Sequence, residues 1–501
     1  MVSFNRIPSN FLLPLAWIEF DGSQMGTPQS IGRALVIGTM RAQGSATPGV
    51  LVPIGSADTA AGLFGAGAQI GAQVRAFRRN NLVQELFALP VLEPADGTAA
   101  TGSIVVTGPA TAAGTIALYI DDDRPLRVGV VPQESAASIA TKIAAAISAA
   151  TQLPVSASAE AGTVTLTAKW KGLTGNDIPV FVNYRGAVAG EALPDGVTLT
   201  ITAMSGGAGV PDVAAALDAI GEEPFETIAS AFADDASLDV YDEVWGDGDE
   251  GRWGWLLQLY GHVYTARRAG YADHIAHGAT RNGPHVTVFR LEADFPNSPW
   301  ISAAGSVGQI LRSVVNDPAR PLHTLPVVGL LSPRPESRFG VTERNALASN
   351  GGATLAVSAG TVQIEAPVTT YRLNAFGLPD NGLRFVEPLH TVAAVLRRLR
   401  LAITTKYGRH KLANNGVRVP PGRAIVTPNT IRAELVVEYE RLEEEEGLVE
   451  NSRAFKENLV VERDTSNPDR VNVLYPPDVI NQLRVLAVLA QPRLQSQNAT
   501  A

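Results

Sequence analysis

The 501-residue sequence contains no cysteine. This absence excludes disulfide bridges and thiolate metal sites, and it is typical of a protein that folds in a reducing cytoplasm. No stretch approaches the run of about eighteen apolar residues that a transmembrane helix needs, so we expect no direct membrane insertion. Pro8 and Pro14 interrupt the apolar N-terminal stretch, which argues against a classical signal peptide.

An excess of basic residues is also lacking, since the formal net charge is −9. A nucleic-acid-binding protein normally carries a basic excess on its contacting face, so we expect no nucleic-acid partner. Hydrophobic residues make up 45% of the chain and charged residues 18%, which is an ordinary globular balance. A chain of this length should divide into about three domains.

Catalytic signatures are missing as well, because neither G-x-S-x-G nor H-E-x-x-H occurs. The sequence alone leaves open a triad assembled from distant residues, as in an α/β hydrolase-like enzyme, but no pattern supports one. Four histidines, His262, His274, His277 and His285, suggest a metal site. No third ligand is specified, and core or helix-surface histidines are the favoured interpretation. We therefore predict no enzyme, no metal and no cofactor.

The segment GDGDEG at residues 246–251 matches the spacing of a dinucleotide-binding loop. Its carboxylates at Asp247, Asp249 and Glu250 would repel the phosphates that such a loop binds. The same residues could hold a cation, but the spacing departs from the EF-hand loop and lacks its closing glutamate. An acidic turn is the favoured interpretation.

The N-terminal part of the chain predicts an α/β core. ALVIGT at residues 34–39 is typical of a buried strand, and Ile70, Val74 and Phe77 fall on one face of a following helix. The strand-like LVQELFALPV then completes a β-α-β unit. An earlier strand, with Leu13, Leu15 and Trp17 at period two, has no nearby hairpin partner and must pair with a distant segment or another molecule.

At about Glu93 the composition changes to Thr, Ala, Gly and Val with few charges, and it stays so to residue 205. GSIVVTG, GTIALYIDD, PLRVGVV, GTVTLTAKW and GVTLTITAM predict short strands, and residues 135–150 predict one helix. We interpret residues 93–205 as a β-rich domain inserted into the α/β core and projecting outward. The α/β pattern resumes with a helix that has Pro211 in its first turn.

Two blocks of opposite charge follow. Residues 212–250 contain thirteen acidic residues and no Lys or Arg. Residues 397–411 contain the cations Arg397, Arg398, Arg400, Lys406, Arg409 and Lys411 and no acidic residue. Nucleic acid is a disfavoured partner for this basic block, because no aromatic platform accompanies it. A protein surface with complementary charge is favoured.

The C-terminal part predicts two helices and several strands. The first helix carries a narrow apolar seam, made of Leu389, Val392, Leu396, Leu399 and Ile403. Thr427 and Pro428 begin the second helix, which ends in four glutamates that oppose the helix dipole and favour a basic neighbour. NLVVERD and RVNVLY predict a hairpin, and alternating apolar residues from Leu483 to Leu489 predict a final strand.

Ordered motifs occur along almost the whole chain, namely SFNRIPSN, LYGHVYTARR with GATRNGPHVTV, DPARPLHTLPV, VTTYRLNAFGLPD, TTKYGRHKLANNG and NPDRVNVLYPPDVINQLRV. Together they resemble the contractile tail sheath protein of Mu-like bacteriophages. The resemblance does not extend to residues 93–205. It transfers no active-site residue, because the motifs carry no catalytic signature.

The resemblance implies a structural subunit of a virion tail, assembled in the bacterial host cytoplasm. Subunits of this kind form stacked hexameric rings around a tail tube and contract to drive the tube through the host envelope for genome ejection. The implied partners are neighbouring sheath subunits, the tail tube protein, and baseplate and tail terminator proteins. The alternatives are the α/β hydrolase-like enzyme and a non-contractile structural tail subunit.

We accordingly expect a multidomain protein of mixed α/β and α+β class. Its predicted parts are an N-terminal arm (1–22), an α/β sheath core (23–92 plus 206–382), the inserted β-rich outer domain (93–205), an α+β C-terminal assembly domain (383–480) and a C-terminal arm (481–501). Strand pairing between subunits is predicted for Leu13, Leu15, Trp17, Leu459, Val461, Val471, Val473, Leu483, Val485, Ala487 and Leu489. Charge contacts between subunits are predicted for the six cations of the basic block.

Overall fold

The structure is a computed structural model and describes residues 32–418, 420 and 422–492. The strands of this part are β1 (Arg33–Thr39), β2 (Val52–Pro53), β3 (Glu85–Val91), β4 (Ala99–Thr107), β5 (Gly114–Ile120), β6 (Leu126–Val130), β7 (Val155–Glu160), β8 (Thr163–Lys171), β9 (Val180–Val182), β10 (Thr198–Ser205), β11 (Thr227–Ser230), β12 (His262–Arg268), β13 (Val286–Leu291), β14 (Thr354–Ser358), β15 (Thr361–Ala366), β16 (Lys411–Leu412), β17 (Ile425–Val426), β18 (Val460–Arg463) and β19 (Val471–Leu474).

The helices of the same part are α1 (Ala60–Phe64), α2 (Gln69–Asn80), α3 (Ala136–Ala149), α4 (Val213–Leu217), α5 (Asp235–Val244), α6 (Tyr271–Ala279), α7 (Pro299–Asn316), α8 (Val341–Ser349), α9 (Val386–Tyr407), α10 (Pro428–Arg441) and α11 (Ser452–Asn458). A mixed α/β chain with several sheets results. Among the described helices, none combines the length and apolarity that a membrane crossing requires.

The core sheet has six strands in the order β13-β12-β11-β1-β3-β2. All neighbours are parallel except β2, which runs antiparallel to β3. The predicted β-α-β unit of β1, α2 and β3 is confirmed. Strand β1 is apolar on both sides, with Leu35 and Ile37 in one hydrophobic cluster and Ala34 and Val36 in another, because helices cover both faces of a parallel sheet.

Residues 93–205 form two antiparallel sheets around helix α3. Their strand orders are β10-β4-β8-β7 and β6-β5-β9. The five strands and the helix expected from the sequence are all present. Strands β7 and β9 were not predicted, because VSASAE carries few large apolar residues and β9 has only three residues.

These sheets pack onto the core and do not form a cluster of their own. Trp170 of β8 meets Trp300 of α7 edge-on, with 5.7 Å between ring centroids, and one hydrophobic cluster includes side chains from both regions. Asp121 accepts a hydrogen bond from the Ser298 backbone at the start of α7 (2.7 Å), and Tyr184 donates to the Ser332 carbonyl (2.8 Å). Burial raises the pKa of Asp121 to about 7, although the hydrogen bonds from Ser298 oppose the shift.

The chain returns to the core through α4, where the prediction for Pro211 was wrong. The Asp212 side chain accepts a hydrogen bond from the Ala215 backbone at 3.1 Å, so Asp212 is the N-cap and Pro211 precedes it. Strand β12, helix α6 and strand β13 follow in order, and β12 and β13 pair in parallel within the core sheet. Strands β14 and β15 then pair as an antiparallel hairpin.

The C-terminal region is built on α9 and α10. Thr427 caps α10 and Pro428 is its first residue, as expected, and the buried positions include Ile431, Leu435 and Tyr439. The predicted hairpin is confirmed as β18 and β19, with Val461 opposite Val473. Tyr439 stacks on Phe455 at 3.8 Å between ring centroids, which joins α10 to α11.

The buried side of α9 differs from the predicted seam. Leu389 is buried, but Val392, Leu396, Leu399 and Ile403 are only partly so. The fully covered positions include the polar residues Glu387, His390 and Thr391. The seam was misplaced because an apolar pattern does not reveal a helix face that is buried through ion pairs and hydrogen bonds.

Candidate assembly surfaces

A buried ion pair connects α9 to the core sheet. Glu226, directly before β11, has a carboxylate whose side chain is 1% exposed. It accepts a hydrogen bond from Arg397 at 2.6 Å, and His390 Nδ1 lies 3.3 Å from its second oxygen. Burial alone would raise the pKa of Glu226, but the Arg397 charge and the His390 hydrogen bond hold it below its ordinary value.

His390 and Arg397 each make a second contact that fixes their orientation. The other ring nitrogen of His390 lies 2.8 Å from the Tyr264 hydroxyl of β12. Arg397 also donates to the Tyr260 carbonyl at 2.6 Å. A His390 tautomer with its proton on Nδ1 satisfies both neighbours, with Tyr264 donating to Nε2. The region that carries the C-terminal segment is therefore fixed to the core by charge-assisted contacts.

Two further cations of the basic block pair with α10 and the turn that follows it. Arg398 lies 2.7 Å from Glu446, and Lys406 lies 2.5 Å from Glu434. The expectation that the four glutamates lie beside a basic neighbour is met by Arg398 of the same chain. Arg397, Arg398 and Lys406, predicted to contact another subunit, thus have carboxylate partners within the chain.

The other three cations predicted to contact a neighbour are Arg400, Arg409 and Lys411. Their side chains are exposed. Within the part of the chain that the structure describes, no carboxylate lies within ion-pair distance of any of them. Arg400 lies on α9, Arg409 in the turn that follows it and Lys411 at the first position of β16, and we name these three residues the open basic surface.

The C-terminal segment, residues 481–492, is exposed and apolar. The predicted strand there is not formed within this chain, because residues 481–492 are neither helix nor strand. Leu483 is 72% exposed and Leu489 is 84% exposed, and Val485, Leu486, Ala487 and Val488 are exposed with them. A continuous apolar stretch of this kind is typical of a surface that another chain covers.

The segment begins from a firmly held base. Val479 pairs with Val449, and the Ile480 backbone donates to the Leu448 carbonyl at 3.1 Å. Four residues later Arg484 makes two hydrogen bonds to Glu387, the second residue of α9. Beyond Arg484 the described side chains are exposed.

The hairpin residues predicted to pair between subunits differ in accessibility. Val461 and Val471 are half-buried and Val473 is exposed, and within the described residues the sheet of β18 and β19 has two strands. Leu459 lies one residue before β18 and is buried in the C-terminal hydrophobic cluster. Leu13, Leu15 and Trp17 lie outside the described residues.

The sites weighed and disfavoured on the sequence have ordinary structural roles. The segment 246–251 forms turns, as expected. His274 contacts the Leu291 carbonyl at 2.8 Å and His262 contacts Thr287 at 2.8 Å. Over residues 32–418, 420 and 422–492, no group of three or more His, Cys, Asp or Glu side chains could hold a metal ion.

The usual ligand position of an open α/β sheet is occupied by two glutamines. Ligands bind such sheets at the carboxyl ends of the strands, where the strand order reverses, which here is beside β1. Gln69 accepts a hydrogen bond from the Thr39 backbone at 3.1 Å, and Gln73 donates to the Ala229 carbonyl at 3.3 Å. Both side chains are fully buried, one bonded to the end of β1 and the other to β11, so they fill the position where such a ligand would bind.

Sequence reasoning missed Glu226, Glu387 and Arg484, which join the C-terminal region to the rest of the chain. A signal was present for two of them. Glu387 is a lone acid at the apolar start of α9, and Arg484 is a lone cation within NQLRVLAVLA. An isolated charge in an apolar stretch indicates a specific partner, because an unpaired buried charge is strongly disfavoured. Glu226 is one of thirteen neighbouring acids and gave no such signal.

Comparison with known proteins identifies two matching family models. The phage tail sheath protein central domain matches residues 206–370, and the phage tail sheath C-terminal domain matches residues 379–492. The Mu-like prophage FluMu tail sheath protein of Haemophilus influenzae is 39% identical over 492 residues, which cover 97% of this chain and 98% of that protein.

Two solved structures are similar at low sequence identity. The sheath tail protein of Desulfitobacterium hafniense is 14% identical with a TM-score of 0.47, and the match covers 93% of this chain and 99% of that one. The sheath complex of the PVC extracellular contractile injection system, in its contracted state, is 10% identical with a TM-score of 0.49. That match covers 97% of this chain and 98% of the other.

Proposed function

Because the chain belongs to the phage tail sheath family and is a structural subunit of a contractile tail sheath, we propose that it polymerises through its C-terminal arm. The arm, residues 481–501, would add a strand to a sheet of a neighbouring subunit. The observation that carries the proposal is the exposed apolar segment from Leu483 to Leu489, which extends from an ordered base. Added strands bind through backbone hydrogen bonds, while alternate side chains enter pockets of the partner.

The accepting sheet in this proposal is the hairpin of β18 and β19, completed by the N-terminal strand around Leu13 to Trp17 of another subunit. Two strands alone are marginally stable in water, so added strands would stabilise the hairpin as well as link subunits. The contact is heterologous, because one subunit gives a strand and the next receives it. Such contacts form open helical assemblies when the rotation does not close.

The division of the chain follows the same proposal. Residues 23–92 plus 206–382 form the sheath core, 93–205 form an outer domain, 383–480 form the assembly domain, and 1–22 and 481–501 are arms. Hexameric rings would stack around a tail tube protein, between a baseplate and a tail terminator, after assembly in the host cytoplasm. Contraction would move rigid domains while the arms keep neighbours linked, and it would drive the tube through the host envelope for genome ejection.

Electron microscopy of the purified full-length chain tests the function directly. We expect helically striated tubes of constant diameter. Their length should increase with protein concentration, because each tube grows by the addition of subunits to its ends. A hollow tube with a regular axial repeat would support a sheath. A monodisperse monomer at every salt and protein concentration tested would overturn the proposal.

We further propose that the open basic surface contacts an acidic face of a neighbouring subunit. Replacing Arg400, Arg409 and Lys411 together by Glu is expected to raise the protein concentration needed for tube formation by about tenfold or more at low salt. The defect should shrink as salt is added, since exposed charges are screened within about 8 Å at physiological ionic strength. Sedimentation of tubes over a salt series measures this.

The matched control for that variant is Arg453→Glu, an exposed cation on α11 whose partner Glu457 is also exposed. It changes the same kind of charge outside the open basic surface. Equal assembly of the triple variant and the wild-type chain at all salt concentrations would assign the three cations to an ordinary solvated face.

A further inference from the structure

Arg484 is held by several side-chain contacts, whereas residues 485–492, the described residues that follow it, are exposed. Its guanidinium donates two hydrogen bonds to the Glu387 carboxylate, at 3.2 and 3.0 Å, and a third to the Gln482 side chain at 3.1 Å. It also lies over the Phe385 ring, 3.6 Å from the ring centroid. A bidentate contact combined with stacking fixes both the position and the plane of a guanidinium.

The acceptor of these bonds is itself rigidly placed. Glu387 is fully buried in the first turn of α9 and also accepts a hydrogen bond from the Leu322 backbone at 3.1 Å. The Leu322 segment belongs to the core, and its side chain is buried in a core cluster. Glu387 is 0% exposed with Arg484 in place, so loss of Arg484 would take the charged partner from a buried carboxylate, which is strongly disfavoured.

The contrast with the following residues is abrupt. Arg484 is 20% exposed, whereas its neighbour Val485 is 81% exposed and the next apolar side chains are similarly accessible. The chain therefore passes from a fixed side chain to an uncovered segment within one residue. The contacts of Arg484 therefore mark the last fixed point before the exposed segment.

We propose that Arg484, paired with Glu387 and stacked on Phe385, is the anchor that positions the C-terminal arm for assembly. The proposal rests on the proposed function of the arm and assigns to Arg484 a positioning role that strand exchange alone does not require. Fixing the start of the arm lowers the entropy that is lost when the arm binds a neighbour. During contraction, the residues after Arg484 would reorient about this point while the attachment stays in place.

The test uses a chain without cysteine, into which two cysteines can be introduced for spin labels. Leu486→Cys places one label on the arm. Thr342→Cys places the other at an exposed position of α8, outside the arm. In the free subunit, pulsed electron spin resonance is expected to give a narrow distance distribution. Arg484→Gln should broaden it, and Arg484→Lys should broaden it partly, because lysine keeps the charge but cannot form the bidentate contact.

The matched control is Arg453→Gln, which removes an exposed arginine from α11 and should leave the distribution narrow. The melting temperature of each variant is measured in parallel. If Arg484→Gln does not fold, Arg484→Lys becomes the test variant. Tube formation by Arg484→Gln is expected to need an about tenfold higher protein concentration, since the ordering of the arm must then occur on binding.

An unchanged distance distribution in both Arg484 variants would overturn the anchor, and so would unchanged tube formation in a variant with a broadened distribution. The spin-label result is obtained on the free subunit. Failure of the anchor is therefore distinguishable from failure of the proposed function, in which the wild-type chain itself would form no tubes.

Discussion

A chain truncated after Arg484 is expected to keep the melting temperature of the full-length protein and to form no tubes. The deletion removes Val485, Leu486, Val488 and Leu489, all of which are exposed in the single chain, so among residues 485–492 it takes no buried side chain from the fold. Full burial of these four side chains in a neighbour would contribute about 6–12 kcal/mol at most. Loss of such a contribution at every subunit contact would abolish assembly at any practical concentration.

The truncation is placed after Arg484 so that the Glu387 carboxylate keeps its partner. Sedimentation and electron microscopy measure tube formation, and thermal unfolding measures the fold. Val485→Ser with Leu489→Ser, in the full-length chain, should reproduce the defect. Leu82→Ser with Val83→Ser is the matched control, because these side chains are also exposed but lie in the loop after α2. Regular tubes from the truncated chain would show that strand exchange through this arm is wrong.

Local signals in the sequence were sufficient to predict a strand or helix wherever the structure of the segment depends on its own residues. The apolar run of β1 and the spacing of Ile70, Val74 and Phe77 predicted the β-α-β unit. The capping residue Thr427 and the following proline predicted the start of α10. The family itself could be predicted because its motifs occur in order along nearly the whole chain.

Long-range pairings could not be predicted in this way. Arg397 meets a carboxylate 171 residues earlier in the sequence, and nothing near either residue specifies the other. The same pairing explains the misplaced seam of α9, because it buries His390 and Thr391 where the apolar pattern indicated Val392 and Leu396. Alternate apolar residues predicted a strand from Leu483 to Leu489, but a strand also needs a paired edge, which its own residues do not specify.

Glu226→Gln is expected to be the most destabilising of the charge substitutions at the α9 contacts. It keeps the size of the side chain but leaves the charge of Arg397 in a largely buried site without its anionic partner. Removing one partner of a buried ion pair typically lowers the free energy of unfolding by about 3–5 kcal/mol. Chemical denaturation of the free subunit, followed by tryptophan fluorescence, measures the loss.

The control is Glu434→Gln, which breaks the contact with Lys406, a side chain that is 52% exposed. An ion pair with such access to water contributes about 1 kcal/mol or less, so this variant should unfold close to the wild-type midpoint. Equal midpoints for Glu226→Gln and the wild-type chain would show that the α9 attachment does not depend on this ion pair.

Acidification provides an independent check of the Glu226 contact. Because the folded-state pKa of Glu226 lies below its ordinary value of 4.5, its ionisation stabilises the fold above that pH, and this contribution is lost as the pH falls through the folded-state pKa. The difference in unfolding free energy between the wild-type chain and Glu226→Gln should therefore be largest near neutral pH and shrink on acidification. Protonation can remove only the stabilisation that comes from the ionised carboxylate. If the difference in unfolding free energy stays constant down to acid unfolding, the destabilisation by Glu226→Gln is therefore due to packing.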